Sequence, residues 1–184
     1  MKSAHLKLFN SQIPFIDIRS PKEYQKGSLP GSVNLPILLD REYESVGIAY
    51  KKYGSKAALD LGHSLVFGDM KTERVNNWIS FIKKKPNAIL FCFRGGKRSE
   101  IAKSWLSELG VEVPIVKDGY KALRNTCVEV LDSAPLGGKK WIIIGGLTGS
   151  NKTTLIKNKK MSIDLEMIAN HRGSAFGAYR TPQP

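Results

Sequence analysis

The chain has 184 residues, of which 41% are hydrophobic and 24% charged. That balance belongs to a folded globular protein and excludes a disordered or collagen-like chain, and the length suits one domain with an appendage better than two full domains. Lysine and arginine number 29 against 16 aspartates and glutamates, a net charge of +13. A field of that sign raises the local concentration of polyanions such as RNA, and equally keeps a surface soluble.

The opening stretch, residues 1–10, carries charge but neither a sustained apolar run nor a small-residue cleavage pattern. No secretory signal is therefore expected, and a cytoplasmic location is. No apolar run approaches the roughly 20 residues of a membrane-spanning helix, so no membrane partner is expected either. Phe15-Ile16-Asp17-Ile18 reads as a strand. Its charged neighbours Asp17 and Arg19 read as a local structural pair. Residues 40–84 read as helix-rich, and Lys83-Lys84-Lys85 before Pro86 oppose the negative end of a helix dipole. Ala88–Cys92 reads as a second strand and Val113–Val116 as a shorter third. Between them, Lys97–Leu109 places Ile101, Ala102, Trp105, Leu106 and Leu109 on one helical stripe. This alternation predicts an α/β fold, a parallel sheet flanked by helices. The turn-rich run from Asp132 to Gly138 marks a boundary, giving a first domain of residues 1–134 and a segment of residues 135–184. The first carries 21 basic and 14 acidic residues, the second 8 and 2, so the short segment is the more basic per residue.

Two cysteines in a chain without export features do not suggest a disulfide framework. Cys127 falls in helical register with Tyr120, Leu123 and Val130 and is assigned to the core. Cys92 is different. A buried-looking strand delivers it into Phe91–Ser99, FCFRGGKRS, a glycine-containing loop that opens a helix. Backbone N–H groups converge in such a loop, the helix N-terminus adds positive potential, and Arg94, Lys97 and Arg98 add charge. Together with Gly95 and Gly96 these residues form a candidate anion site. It should favour thiolate over thiol and make Cys92 a nucleophile of lowered pKa. Sulfur transfer through a Cys92 persulfide and phosphoryl transfer with Arg98 clasping equatorial oxygens both fit, the latter because Cys92, Gly95 and Arg98 match C-x-x-G-x-x-R.

Past the boundary, WIIIGGLTGSNKTTL reads as a hydrophobic strand, a glycine-rich turn and a helix. Gly146, Gly149, Asn151, Lys152 and Thr153 fall on the P-loop pattern G-x-x-x-x-G-K-[ST], with Asn151 where glycine is expected. Such a loop cradles phosphates; Lys152 would reach the β- and γ-phosphates and Thr153 a magnesium ion. The histidines at 5, 63 and 171 show no ligand spacing, so no structural metal is expected.

Residues 1–134 resemble the rhodanese family in three places besides the cysteine loop. These are Ile16–Tyr24, Gly27–Pro36 (similar to G-x-I-P-G-A-x-N) and Asp118–Leu123 (similar to G-G-x-x-A-L). The loop C-x-R-G-G-x-R-S, followed by the P-loop-like motif and by Asp164–Gly177, DLEMIANHRGSAFG, resembles the tRNA 2-selenouridine synthase family. The insertion residues Val46–Lys51 and Ala57–His63 stand in that family's register. Its members extend well beyond the equivalent of Pro184, so the chain looks like a truncated member. The resemblance implies replacement of the sulfur of wobble 2-thiouridine in tRNA by selenium from selenophosphate, through an intermediate geranylated by geranyl diphosphate, with no tightly bound cofactor. It also implies Cys92 as the catalytic cysteine and Arg94 and Arg98 as holders of the anionic selenium donor. Gly149, Lys152 and Thr153 would bind the diphosphate of the geranyl donor or a nucleotide. The alternatives are a rhodanese-type sulfurtransferase, a cysteine phosphatase and a charge-held RNA-binding remnant.

Overall fold

The computed structural model describes residues 2–11, 13–138, 140–147 and 149–171, the side chains of residues 2–4 and 10 aside. Of the segment read from Asp164 to Gly177, Arg172 onward lies outside the described residues. The chain divides into two compact units, Met1–Ala134 and Pro135–Pro184.

The first unit runs α1 (Lys2–Asn10), β1 (Phe15–Asp17), α2 (Pro21–Gln25), β2 (Val33–Asn34), α3 (Asp40–Leu65), α4 (Gly68–Lys84), β3 (Ile89–Phe91), α5 (Lys97–Ser107) and α6 (Gly119–Ser133). The strands pair in the order β2-β1-β3, all parallel, with Ile16 opposite Val33 and Leu90. Val113–Val116, expected as a third strand, runs beside β3 but contributes only the bridge Ile115–Leu90. Pro114 lacks an N–H for a longer ladder, and its carbonyl accepts from Leu90 instead. Periodicity missed β2, whose two residues are too few to alternate. The α5 helix stops at Ser107, two residues short of Leu109, and the chain reverses through Gly110 at φ +73°.

Side chains alternate across the sheet. Ile16, Ile18, Leu90 and Cys92 join Trp78, Trp105 and Leu106 in one core, while Phe15, Phe91, Leu29, Val116 and Leu123 form the other. Both faces are covered, which is why the strands read as continuous apolar runs. Trp78 stacks on Trp105 at 6.2 Å, and its Nε1 donates to the Leu35 carbonyl at 2.9 Å. This ties α4 to the segment after β2. Gly54 breaks α3 at φ +86°. On α6 the buried residues are Gly119, Leu123 and Thr126, whereas Val130 is exposed and Cys127 half-buried. The stripe assigned to the core is therefore rotated by about one residue, because Gly119 must face the Cys92 carbonyl.

In the second unit, Trp141–Leu147 forms no strand and is exposed, Ile143 at 93%. The expected strand is absent because a strand needs a neighbour to take up its backbone groups, and none lies beside it among the described residues. A short helix α7 (Lys152–Lys157) follows the glycine turn, then α8 (Leu165–Ile168), capped by the Asp164 carboxylate accepting from the Met167 N–H. No described helix is long and apolar enough to cross a membrane.

Candidate active site

Cys92 is the first residue past β3 and is 3% exposed. The loop after it must reverse within four residues to enter α5 at Gly96, and it does so through Gly95 at φ +63°. A Cβ on Gly95 would stand 2.7 Å from the Asp118 nitrogen and 2.8 Å from the Val116 oxygen. The facing Gly119 is tighter still: a Cβ there would meet the Cys92 oxygen at 2.3 Å and the Gly95 nitrogen at 2.5 Å. Two glycines thus let the cysteine loop and the start of α6 touch backbone to backbone. The contact is fixed by Tyr120 N–H donating to the Cys92 carbonyl (2.9 Å) and Lys121 N–H to the Phe93 carbonyl (3.0 Å). Asp118, at the first glycine position of the G-G-x-x-A-L pattern, adopts φ +61° itself.

With the loop carbonyls so occupied, its amides are left over. Among the described residues, none of the N–H groups from Arg94 to Arg98 donates to a backbone carbonyl. Successive N–H groups at the start of an eleven-residue helix, in the loop that follows Cys92, are an arrangement from which an anion could accept hydrogen bonds. Ser99, in the first turn of α5, is fully buried, and its Oγ is without a hydrogen-bond partner.

The side-chain charges are arranged differently from what the sequence suggests. Arg98 gives two hydrogen bonds to Glu23, Nη1 to Oε2 at 2.6 Å and Nη2 to Oε1 at 3.1 Å, and lies 5.0 Å over the Tyr43 ring. Burial opposes its charge, but the hydrogen bonds and charge of Glu23, with smaller contributions from Cys92 and Tyr43, outweigh it and hold the guanidinium above its ordinary value. Lys97 pairs with Glu100 at 2.9 Å on the surface, and Arg94 is exposed. The sequence missed Glu23. It sits in a capping box in which the Ser20 hydroxyl accepts from Glu23 N–H and Glu23 accepts from Ser20 N–H. The S-P-K-E spelling announces the cap, but nothing in it announces a partner 75 residues away.

Asp17 and Arg19 pair as their spacing suggests, both essentially fully buried, through Nε (3.0 Å) and Nη2 (2.6 Å). Arg19 also lies 3.8 Å over the Tyr120 ring and donates to the Gly27 carbonyl, so it supports the start of α6 from below. Lys97 and Arg98 line one end of a cavity of about 180 Å³, whose walls are almost wholly carbon from Ile37, Val46, Tyr50, Ala58, Ile101 and Trp105.

In the second unit, Gly146 and Gly149 have positive φ, and Asn151 takes the left-handed conformation at φ +58°. Asparagine thus supplies the backbone geometry that glycine would supply at that position. Lys152 Nζ curls back onto the Gly146 (2.8 Å) and Leu147 (2.7 Å) carbonyls and the Ser150 hydroxyl (3.2 Å). Thr153 is the second residue of α7. Among the described residues no three His, Cys, Asp or Glu side chains are grouped to hold a metal ion. His5 Nε2 instead bonds the Lys117 carbonyl at 3.1 Å.

The rhodanese-like domain model matches residues 2–126. The chain belongs to the rhodanese family. Residues 139–184 match the model of the tRNA 2-selenouridine synthase AAA domain. A tRNA 2-selenouridine synthase of Shewanella halifaxensis (strain HAW-EB4) is 46% identical over 99% of this chain and 50% of its own. That of Shewanella sediminis (strain HAW-EB3) is 48% identical over 100% and 49%. The chain spans about half the length of the curated relatives it matches. Among solved structures, the N-terminal domain of a Clostridium difficile 630 protein described as ATP/GTP binding is 29% identical. It covers 64% of this chain and 90% of its own, with a TM-score of 0.54.

Proposed function

We propose that the first unit carries the chalcogen-exchange half of a tRNA 2-selenouridine synthase, with tRNA, selenophosphate and geranyl diphosphate as substrates. The observation that carries this reading is Cys92 at the mouth of a cradle of unpaired N–H groups. It is supported by the likeness to synthases along the whole chain. In this reading the Cys92 thiolate adds to C2 of the geranylated 2-thiouridine, the C2–S(geranyl) bond breaks and geranylthiolate leaves. The selenium of selenophosphate then attacks C2 and Cys92 departs as thiolate. Water finally attacks phosphorus, breaking the P–Se bond and releasing phosphate. The N–H groups of Gly95, Gly96, Lys97 and Arg98 hold the phosphate-sized anion, Arg94 supplies free charge, and the carbon-walled cavity beside Lys97 and Arg98 takes the hydrocarbon chain. Gly146, Gly149, Asn151, Lys152 and Thr153 would receive a diphosphate, with Thr153 toward magnesium. Lys152 must then release the loop carbonyls it now bonds.

Incubation of the chain with 2-thiouridine-containing tRNA, geranyl diphosphate and selenophosphate, followed by nucleoside mass spectrometry, tests the proposal. Selenouridine is expected with the native chain and not with Cys92→Ser. Selenouridine at equal yield from Cys92→Ser would overturn the role given to the sulfur. A second reading, sulfur transfer alone, is favoured by membership of the rhodanese family. It predicts thiocyanate from thiosulfate and cyanide, with no change in tRNA.

A further inference from the structure

The middle of α3 packs inward through Ala49 and Ala58 and leaves its outer face open. Between Ser45 and Leu59 the helix carries Lys51, Lys52 and Lys56 and no acidic residue. The two tyrosines among them are far out in solvent, Tyr50 at 61% and Tyr53 at 65%. Among the described residues neither hydroxyl has a hydrogen-bond partner, and none of the three lysines is in an ion pair; Lys52 lies 5.1 Å from the Tyr53 ring centre. The helix breaks at Gly54, where a side chain would meet nothing within 4 Å. The break is therefore not forced by packing. It leaves the aromatic rings and ammonium groups around an open surface.

We propose that this broken stretch of α3 is a platform for unpaired nucleotides, with Tyr50 and Tyr53 stacking bases and Lys51, Lys52 and Lys56 meeting phosphates. A π-face with mobile cations on either side is what a single strand requires. An apolar protein partner would gain little from three unpaired lysines. The occupant is thus an unpaired RNA segment, such as a hairpin loop, and this rests on tRNA being the substrate in the proposed function. The platform adjoins the chemistry: Tyr50 and Ser55 line the same cavity as Lys97 and Arg98 of the cysteine loop. A strand lying on α3 therefore brings one nucleotide to the edge of the Cys92 cradle.

Binding of a fluorescein-labelled RNA hairpin with a seven-nucleotide loop, followed by anisotropy across a salt series, tests the platform. Comparison ligands are an RNA duplex of equal length and polyglutamate. Tyr50→Ala/Tyr53→Ala should weaken hairpin binding by about five-fold or more per tyrosine. Tyr50→Phe/Tyr53→Phe should restore it, because stacking needs the ring and not the hydroxyl. Lys51→Ala/Lys52→Ala should reduce the slope of log affinity against log salt by about 0.7 per lysine. All four residues are exposed, so thermal midpoints should stay with the native chain. Hairpin binding that ignores the tyrosines would overturn the platform, as would absence of hairpin binding or equal affinity for polyglutamate. The selenium assay separates this from the reaction. Tyrosine-dependent binding without selenouridine leaves the platform standing alone, and selenouridine formation indifferent to the tyrosines removes the platform alone.

Discussion

Gly119→Ala is the most direct probe of how the fold builds the cradle. Its φ of +57° is a conformation that costs a residue with a Cβ about 1–2 kcal/mol. The new methyl would also stand 2.3 Å from the Cys92 oxygen, 2.5 Å from the Gly95 nitrogen and 3.0 Å from the Arg94 nitrogen, all backbone atoms that no rotamer change can move aside. Forcing that contact open adds about 1–3 kcal/mol by analogy with overpacked cores. The total is about 2–5 kcal/mol, and at about 2–4 °C per kcal/mol the midpoint should fall by roughly 4–20 °C. Gly110→Ala supplies the comparison, since Gly110 has φ +73° with nothing within 4 Å and should incur only the conformational cost. Thermal melts followed by circular dichroism give both values, and the rate of Cys92 alkylation by iodoacetamide reads the loop itself. Gly119→Ala should be the less stable by about 1–3 kcal/mol, and it alone should change the alkylation rate. Equal stabilities with unchanged Cys92 reactivity would refute the idea that the loop is held by backbone contact with α6.

The remaining outcomes concern partners of the two cysteines. Glu23→Gln leaves the half-buried Arg98 without its carboxylate and weakens the Ser20 cap, so urea unfolding should show a loss of about 1–3 kcal/mol. Arg98→Lys should be similarly destabilised, since an ammonium cannot repeat the two-pronged bond; either variant within 0.5 kcal/mol of the native chain, on the order of a neutral surface change, would sink this assignment. Burial pushes the Cys127 thiol upward. The folded state therefore holds its proton to higher pH than the unfolded state, and stability falls as pH rises from the ordinary thiol range, near 8.5, through the folded value. Cys127→Ala should remove that part of the alkaline loss, and unfolding curves that stay parallel for the two proteins from neutral to alkaline pH would argue against it.

The parallel α/β architecture was legible because both faces of the sheet are covered. Phe15–Ile18 and Ala88–Cys92 read as strands and Lys97–Leu109 as a helical stripe, each local pattern reflecting local burial, and the fold trims each by one or two residues. The placement of Cys92 at a strand end before a glycine turn was legible for a related reason, since a strand running into glycines and cations is itself a sequence pattern. Other features depend on what the fold brings together. Glu23 meets Arg98 across 75 residues, and Gly119, visible in the sequence only as a motif glycine, is required by the carbonyl of Cys92; neither contact is written in the nearby residues. Trp141–Ile144 failed in the opposite sense. Its composition is that of a strand, but pairing is a property of neighbours, and the described residues hold none for it.

These long-range contacts bear on how the proposed cradle would attract an anion. From the sequence, Arg94, Lys97 and Arg98 are three mobile cations around Cys92. In the fold Arg98 is locked to Glu23 and Lys97 to Glu100, so two of the three charges are compensated before any ligand arrives, and Arg94 stays exposed. In the proposed function the affinity would then come mainly from oriented backbone N–H groups, which cannot be neutralised by a neighbouring carboxylate and are screened less by salt than a surface lysine. Arg98 acts chiefly as a brace. Through Glu23 it ties the first turn of α5 to α2, while Arg19, just past β1, packs on the Tyr120 ring, and the Tyr120 N–H at the start of α6 holds the Cys92 carbonyl. The cysteine loop is thus held from α2 and from α6, and in the proposed function its amides would be oriented before an anion arrives. Preorganisation of this kind would lower the reorganisation that a charged intermediate demands, and Gly95 and Gly119 make it possible by letting backbone meet backbone.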